Sequence, residues 1–375
     1  MSERFLVVKL ADLGDALTVT PALRAIREAY PRARIDALVT ALGATALGGL
    51  DSVDRLIPFD KAQYDRVNPK INSLIEAIRL GLHLRRQAYD RVFLFHHLFT
   101  STGRAKYGAL LTATGAPWRA GLAEQRPWFL TDAAEDLGYG VRHEADYWLD
   151  VASLAGARRP PSPRLEIAID DLAKRRAARL VGDRPTGRTI RVALSPSSGK
   201  YSPGRRWSAS SYVAVGRRLV EDYRHGIDLL VVGTADEKDL ADTICAGIGP
   251  VARNIAGQTD LKTLAAILAT CDALIGNDGG AMHVAVAAGI PVLAIFGPSD
   301  HVSWGPYGAK AWDPGQELGS GSLVVRHDLP CAPCLYRGYL PGTPRGCHSH
   351  DCLRLVTPTD VVQAAHHILP LLRKG

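Results

Sequence analysis

Residues 271–299 read Cys-Asp-Ala-Leu-Ile-Gly-Asn-Asp-Gly-Gly-Ala-Met-His-Val-Ala-Val-Ala-Ala-Gly-Ile-Pro-Val-Leu-Ala-Ile-Phe-Gly-Pro-Ser. An apolar run at 273–275 has strand character. The pair Gly279-Gly280 opens a helix, Gly289 closes it ahead of Pro291, and a second apolar run follows at 292–296. A glycine after the last helical turn, with proline just beyond, is a strong stop signal. Strand, turn, helix and strand, with both strands apolar throughout, describe a parallel sheet buried on both faces.

The same alternation extends in both directions. Strand-like runs at 6–10, 34–39 and 91–95 lie in the first half, with a helix ending near Tyr30 between the first two. The pattern restarts with runs at 190–194 and 228–232. Between them, residues 157–189 are rich in Pro, Arg and Gly around a short basic helix at 172–180, which reads as an inter-domain connection. The 375 residues suit two domains better than one. The expected class is α/β: two Rossmann-like, doubly wound domains facing across a cleft, at 1–165 and 186–357. An amphipathic C-terminal helix in 358–375 is expected to pack across the boundary.

Polar residues gather where strands end, which is where open parallel sheets bind ligands. Strand one runs into Lys9-Leu-Ala-Asp-Leu-Gly-Asp15, putting a carboxylate after a tight turn. Thr20-Pro21 reads as a helix N-cap followed by first-turn proline. In the second half, Gly279 and Gly280 leave backbone N–H groups bare at a helix N-terminus, a natural phosphate site, with His283 in the first turn as a further donor. Asp278 would repel phosphate, so it is assigned to sugar hydroxyls. The loop 195–207, with Lys200, Arg205 and Arg206, resembles a diphosphate clamp. The loop beginning at Gly233 brings Glu237 to where a ribose could sit. Three such loops at one sheet edge point to a nucleotide site.

The sequence also excludes function classes. The net charge of +7 is concentrated in residues 1–185, with 27 basic against 22 acidic side chains. That excess favours an anionic acceptor or a membrane surface, with Arg104, Lys106 and Arg119 expected in cleft-facing loops. No long basic run or RNA-binding signature points to nucleic acid. No apolar run is long enough to span a bilayer, and no signal peptide precedes the first strand, so a cytoplasmic location is expected, at most peripheral at the inner membrane. Gly-x-Gly-x-x-Gly, the Walker motif and Asp-x-Asp are all missing, which disfavours a nicotinamide dehydrogenase, a P-loop enzyme and a metal-dependent glycosyltransferase.

Taken together, Val8-Lys-Leu-Ala-Asp-Leu-Gly-Asp-Ala-Leu-Thr-Val-Thr-Pro-Ala-Leu23, Asn277-Asp-Gly-Gly-Ala-Met-His283 and Phe296-Gly-Pro-Ser299 resemble the glycosyltransferase family 9 enzymes, the ADP-heptose:lipopolysaccharide heptosyltransferases. The resemblance implies a GT-B fold with acceptor bound by the first domain and nucleotide-sugar by the second. It implies an inverting, metal-independent transfer of heptose or a related sugar from an ADP-sugar to a bacterial surface glycan such as the lipopolysaccharide core. The acceptor would be an anionic glycan or glycolipid, and no cofactor would serve catalysis. Asp15 would be the catalytic base and Asp278 would hold the donor sugar. Gly279, Gly280, His283, Lys200 and Arg205 would meet the diphosphate, Glu237 the ribose, and the backbone at Thr259 the adenine. Two departures stand out. Gly279 occupies a position that is usually threonine, and Arg205-Arg-Trp-Ser208 replaces a Lys-x-Trp-Pro form.

Competing readings are a nucleotide-sugar epimerase or hydrolase on the same fold, a heptosyltransferase with a protein acceptor, and a non-enzymatic assembly subunit. Cysteines contribute one more motif, Cys331-x2-Cys334-x12-Cys347-x4-Cys352, in a segment rich in Pro and Gly. Two closely spaced pairs can furnish a tetrahedral thiolate site that orders a loop no core can order. Some autotransporter-modifying relatives hold iron in a similar knuckle. The expectation is a structural zinc or iron; the alternatives are four reduced thiols or an adventitious disulfide.

Overall fold

A computed structural model describes residues 2–60, 71–182, 189–199, 202–224, 226–314 and 321–369. The chain divides into two compact units, residues 1–138 with 144–168, and residues 139–143 with 169–375.

The first unit contains β1 (Arg4–Lys9), α1 (Leu13–Leu17), α2 (Thr20–Ala29), β2 (Arg34–Val39), α3 (Ala41–Leu47), β3 (Arg55–Pro58), α4 (Ile71–Arg86), β4 (Arg91–Leu94), α5 (Ser101–Thr114), β5 (Trp118–Ala123), β6 (Asp132–Glu135) and α6 (Glu144–Ser153). Its sheet is parallel throughout, in the order β3-β2-β1-β4-β5-β6. Each face carries its own core. Phe5, Val7, Phe93 and Phe95 pack under α2 and α6, while Leu6, Val8, Leu38 and Leu94 meet Leu84 of α4 and Leu111 of α5. Alternate residues of β1 serve opposite cores, which is why this strand is apolar at every position from Phe5 to Val8.

Helix starts differ from the sequence reading in one place. The stretch after β1 forms two helices, and Val19, not Thr20, is the N-cap of α2; Pro21 does sit in its first turn. The Thr20 hydroxyl turns back to donate to the Leu17 carbonyl at 2.8 Å. Asp12 takes the N-cap position of α1, so Asp15 lies inside that helix's first turn and caps nothing.

The second unit contains α7 (Asp171–Val181), β7 (Ile190–Ser195), α8 (Ala209–Asp222), β8 (Ile227–Val231), α9 (Lys238–Ile248), β9 (Ala252–Asn254), α10 (Leu261–Leu268), β10 (Ala273–Asn277), α11 (Gly280–Ala287), β11 (Val292–Ile295), α12 (His301–Trp304), β12 (Lys310–Ala311), β13 (Leu323–Val325), β14 (Leu335–Arg337), β15 (Leu340–Gly342), α13 (Asp351–Arg354) and α14 (Pro358–Ile368). Seven parallel strands run β12-β13-β11-β10-β7-β8-β9, and β14 pairs antiparallel with β15 as a separate hairpin. The basic helix α7 packs on α10, and α14 packs on α8, β11 and β13. Val361, Ala364, Ala365 and Ile368 of α14 join the core formed by β7, β8 and α8. Residues 370–375, where the sequence suggested a longer helix, lie outside the described residues.

In each sheet the connections leave a central pair of strands in opposite directions. The pair is β1 and β4 in the first unit, β7 and β10 in the second. The crevice beyond the carboxyl ends of such a pair is where doubly wound sheets bind ligands.

Candidate functional site

In the second unit, β10 ends in Asn277, and Asp278 and Gly279 turn the chain into α11. Gly276 lies so close to β7 that a Cβ there would meet the Ser195 Cβ at 2.8 Å. Only a glycine allows these two strand ends to approach so closely. Asn277, which the sequence reading did not single out, joins the two loops. Its Oδ1 accepts from the Trp207 N–H at 3.2 Å and the Tyr212 hydroxyl at 3.0 Å, and its Nδ2 donates to the Pro196 carbonyl at 2.7 Å.

This frame holds Arg205 against Asp278, with Nη1 donating to Oδ2 at 2.9 Å while Nη2 reaches the Ser198 carbonyl at 3.2 Å. Asp278 is only 3% exposed, so the guanidinium is what makes burial of its charge tolerable. His283 is equally buried, and its Nδ1 has no hydrogen-bond partner among the described residues. Burial pushes its pKa down to about 4; His143 and Arg205 push the same way and Asp278 opposes them. The imidazole is therefore neutral near pH 7, and any bond it gives a ligand comes from the uncharged tautomer, not from a cation.

Gly279 has φ near −177°, extended backbone that any residue adopts, and a Cβ there would meet nothing closer than the Ser197 carbonyl at 3.4 Å. The backbone thus does not require glycine at this position. Gly280 begins α11. Glu237 is buried and already engaged: its Oε2 accepts from the Thr234 N–H at 2.8 Å, closing a capping box, and its Oε1 accepts from the Ser197 hydroxyl. Thr259 follows β9 in a loop pinned by a bond from the Gly257 N–H to the Gly233 carbonyl at 2.9 Å. Arg205, Asp278, Gly279, Gly280 and His283 therefore form one group at the switch between β7 and β10. Glu237 and Thr259 belong to the neighbouring loops after β8 and β9, with Ser197 linking Glu237 to the β7 loop. Lys200 lies outside the described residues.

In the first unit, Asp15 is half-buried beyond β1, its carboxyl pushed up to about 6. Loss of solvent dominates; Lys9 opposes it, and Glu144 and Asp12 add to it. Lys9 is itself buried, with Nζ 4.0 Å from the centroid of the Trp148 ring. Beyond β4 lies a buried cluster that the sequence reading missed. His97 Nδ1 is 2.9 Å from Asp136 Oδ2, and Nε2 is 2.9 Å from Glu144 Oε1. Burial alone would lower the His97 pKa, but the two carboxylates overcome it and raise it to about 9. At neutral pH an imidazolium therefore sits between two acids. The available signal was the pair His96-His97 at the carboxyl end of a central strand.

Three arginine and lysine placements differ from expectation. Arg104 and Lys106 lie on α5 and Arg119 in β5, not in loops. Arg119 spends its Nε on the Phe129 carbonyl at 2.7 Å, a tie between a strand and the following loop.

Cys334 immediately precedes β14 of the hairpin, with Cys331 upstream of it and Cys347 and Cys352 following β15. Cys331, Cys334 and Cys347 are exposed and Cys352 is buried. Burial raises the Cys334 and Cys352 thiols, the latter to about 11, and each of the other cysteines adds to that shift, so all four lie within electrostatic reach. Among the described residues no three His, Cys, Asp or Glu side chains are grouped tightly enough to hold a metal.

Two all-parallel Rossmann-like sheets, each with charged residues gathered at its switch point, are those of the GT-B fold. The chain belongs to glycosyltransferase family 9 (heptosyltransferase), whose model matches residues 77–326. It is 25% identical over 321 residues to lipopolysaccharide heptosyltransferase 2 of Salmonella typhimurium, covering 82% of this chain and 86% of that one. Its fold matches the E. coli ADP-heptose lps heptosyltransferase II with a TM-score of 0.69 at 22% identity, over 97% of both chains. It also matches the iron-containing dodecameric glycosyltransferase TibC of enterotoxigenic E. coli, with a TM-score of 0.52 at 13% identity over 97% of this chain and 75% of that one. Among the described residues no helix is long and apolar enough to cross a membrane.

Proposed function

We propose that this enzyme transfers a heptose, or a closely related sugar, from an ADP-sugar to the core of a lipopolysaccharide, with inversion and without a catalytic metal. The observation that carries the reading is the buried, unpartnered His283 Nδ1 beside the Arg205–Asp278 pair at the start of α11. A buried polar atom left without a partner costs roughly 1–3 kcal/mol, so a ligand that satisfies it gains correspondingly. The diphosphate would take the bare N–H groups of α11, the neutral His283 and the Arg205 guanidinium. Asp278 would turn to the sugar hydroxyls. A ribose would share Glu237 with Ser197 or displace it, and the Thr259 backbone would meet the adenine. Lys200 completes the proposed donor set.

Asp15 would accept the proton of the acceptor hydroxyl as that oxygen forms its bond to the anomeric carbon and the bond to the diphosphate oxygen breaks. The electron pair leaves with ADP, whose new charge α11, Arg205 and His283 stabilise. A carboxyl with a pKa near 6 is ionised at neutral pH yet more basic than an ordinary aspartate, as a general base requires. The acceptor is a glycan that carries negative charge.

Calorimetry with ADP-, GDP- and UDP-sugars tests the donor. An ADP-sugar should bind at least about tenfold more tightly than the others, and equal affinities would overturn the assignment. Incubation with donor alone should yield neither epimer nor free sugar. For the cysteines, the four-thiol donor set and its spacing support a structural zinc or iron staple, which would have to draw the thiols of residues 331–352 together, since no three are grouped closely enough among the described residues. Elemental analysis of tag-free protein should find close to one equivalent of zinc plus iron, and less than about a tenth would refute the staple.

A further inference from the structure

We propose that the outer face of α4 docks the first unit on an anionic lipid bilayer. A helix packed on a sheet normally turns its apolar stripe inward and its polar residues outward. α4 does turn an apolar face inward: Leu84 is fully buried, and Gly81 faces Ala113 of α5 so closely that a Cβ would sit 3.2 Å from the Ala113 Cβ. It also has a second apolar stripe. Ile75, Ile78 and Leu82 are 43%, 55% and 51% exposed and fall on the side opposite Leu84. Arg79 and Arg86, both exposed, share that side with them, whereas Arg85 lies over Gly115 at the end of α5.

Aliphatic side chains flanked by arginines on one helix face are what an interfacial helix presents to a membrane. The apolar groups enter the acyl boundary and the guanidiniums remain among the phosphates. Trp128, in the loop between β5 and β6, is a separate exposed apolar group of the same unit. It is 79% exposed, the most exposed large hydrophobic residue described, and its neighbour Phe129 packs on Gly108 of α5, the helix beside α4. Tryptophan favours the bilayer interface, where its ring can be half immersed. The charge selects the occupant: arginines bordering apolar residues complement acidic headgroups, whereas an apolar patch for a protein partner is depleted of charge at its core. This surface is separate from the donor and acceptor groups, so its failure would leave the transferase reading untouched.

Flotation of the full-length protein with large unilamellar vesicles tests the proposal. Vesicles of 1:1 phosphatidylglycerol and phosphatidylcholine should carry the protein and pure phosphatidylcholine vesicles should not, with binding to the former weakened by 0.5 M salt. Ile78→Glu combined with Leu82→Glu should lower the partition more than about tenfold, and Arg79→Gln alone about fivefold. Thermal stability should be unchanged, since neither apolar side chain is in a core. Three outcomes would overturn the proposal: no flotation of the wild type, equal flotation of the double variant, or sedimentation showing that the double variant only converts a dimer into a monomer, which would make the stripe an interface between copies of this chain.

Discussion

If Asp15 is the base, replacing it by Asn should have three linked effects whose signs are all set by its surroundings. Turnover should fall by roughly 100- to 10,000-fold, the usual cost of deleting a general base. Stability should rise. The carboxyl titrates near 3.8 in the unfolded chain and about 6 in the fold, so the native state holds the proton more tightly. Such a group contributes stability at low pH that is lost as pH rises through 6; at pH 7 its charge opposes folding. Allowing for partial exposure, Asn should recover about 1–2 kcal/mol. Finally, the wild-type kcat/KM should show an acid limb centred near pH 6, because only the carboxylate accepts a proton. Neighbours should move that limb in opposite directions. Lys9→Met removes the influence that holds the pKa down and should shift the limb upward, while Glu144→Gln removes one that holds it up and should shift it downward. ADP release followed from pH 4.5 to 8.5, together with thermal unfolding of each variant, measures all of this. A loss below tenfold in the Asn variant, or limbs of Lys9→Met and Glu144→Gln that move the same way, would refute the reasoning.

Other consequences can be checked separately. Arg205→Ala should weaken ADP binding by about 1.5–3 kcal/mol and His283→Ala by about 0.5–1.5, because the first loses a charged donor and the second a neutral one; unchanged calorimetric affinities in both would remove the donor assignment. Gly279→Thr should fold with a Tm near wild type, since its backbone is extended and its Cβ has room, whereas Gly276→Ala should be strongly destabilised by the 2.8 Å approach to Ser195. The folded His97 titrates near 9 against an ordinary 6.5, so its contribution is complete below pH 6.5 and disappears as pH rises through 9; the Tm of the first unit should decline across that window, and His97→Gln should flatten the decline. Activity should survive EDTA, and a collapse that magnesium or manganese restores would contradict metal-independent transfer.

The fold was legible because burial on two faces writes itself into sequence. A strand such as 190–195 is apolar at most positions, and no helix facing solvent would be. The strand-to-helix turn at 278–279 was legible for a related reason: a glycine pair between an apolar run and a helical pattern marks where one element ends and the next begins. What could not be read was coupling between distant positions. His97, Asp136 and Glu144 come from three elements up to 47 residues apart, and none sits in a motif. Asn277 was quoted within a motif, yet its ties to Trp207 and Pro196 follow from the adjacency of β7 and β10, which only the sheet order reveals. The start of α2 was legible from Thr20-Pro21, but the short helix α1 was not, because Asp12 to Leu17 spans little more than one turn and reads as a loop beyond β1. The neutral state of His283 was beyond a composition argument, since it depends on burial and on the neighbouring His143 and Arg205.

Residues 139–143 belong with the second unit although 144–168 return to the first. Within that unit the Gly140 N–H donates to the Ser303 hydroxyl at 2.8 Å, and His143 Nε2 bonds the Gly305 carbonyl at 3.0 Å. An engineer who splices the front half of one such enzyme onto the back half of another at a single junction would therefore import a foreign five-residue patch into the recipient's second unit, beside its His283. Chimeras built to exchange sugar-donor preference need two seams before residue 169, and libraries recombined at one crossover will discard working combinations for a reason unrelated to the residues under selection.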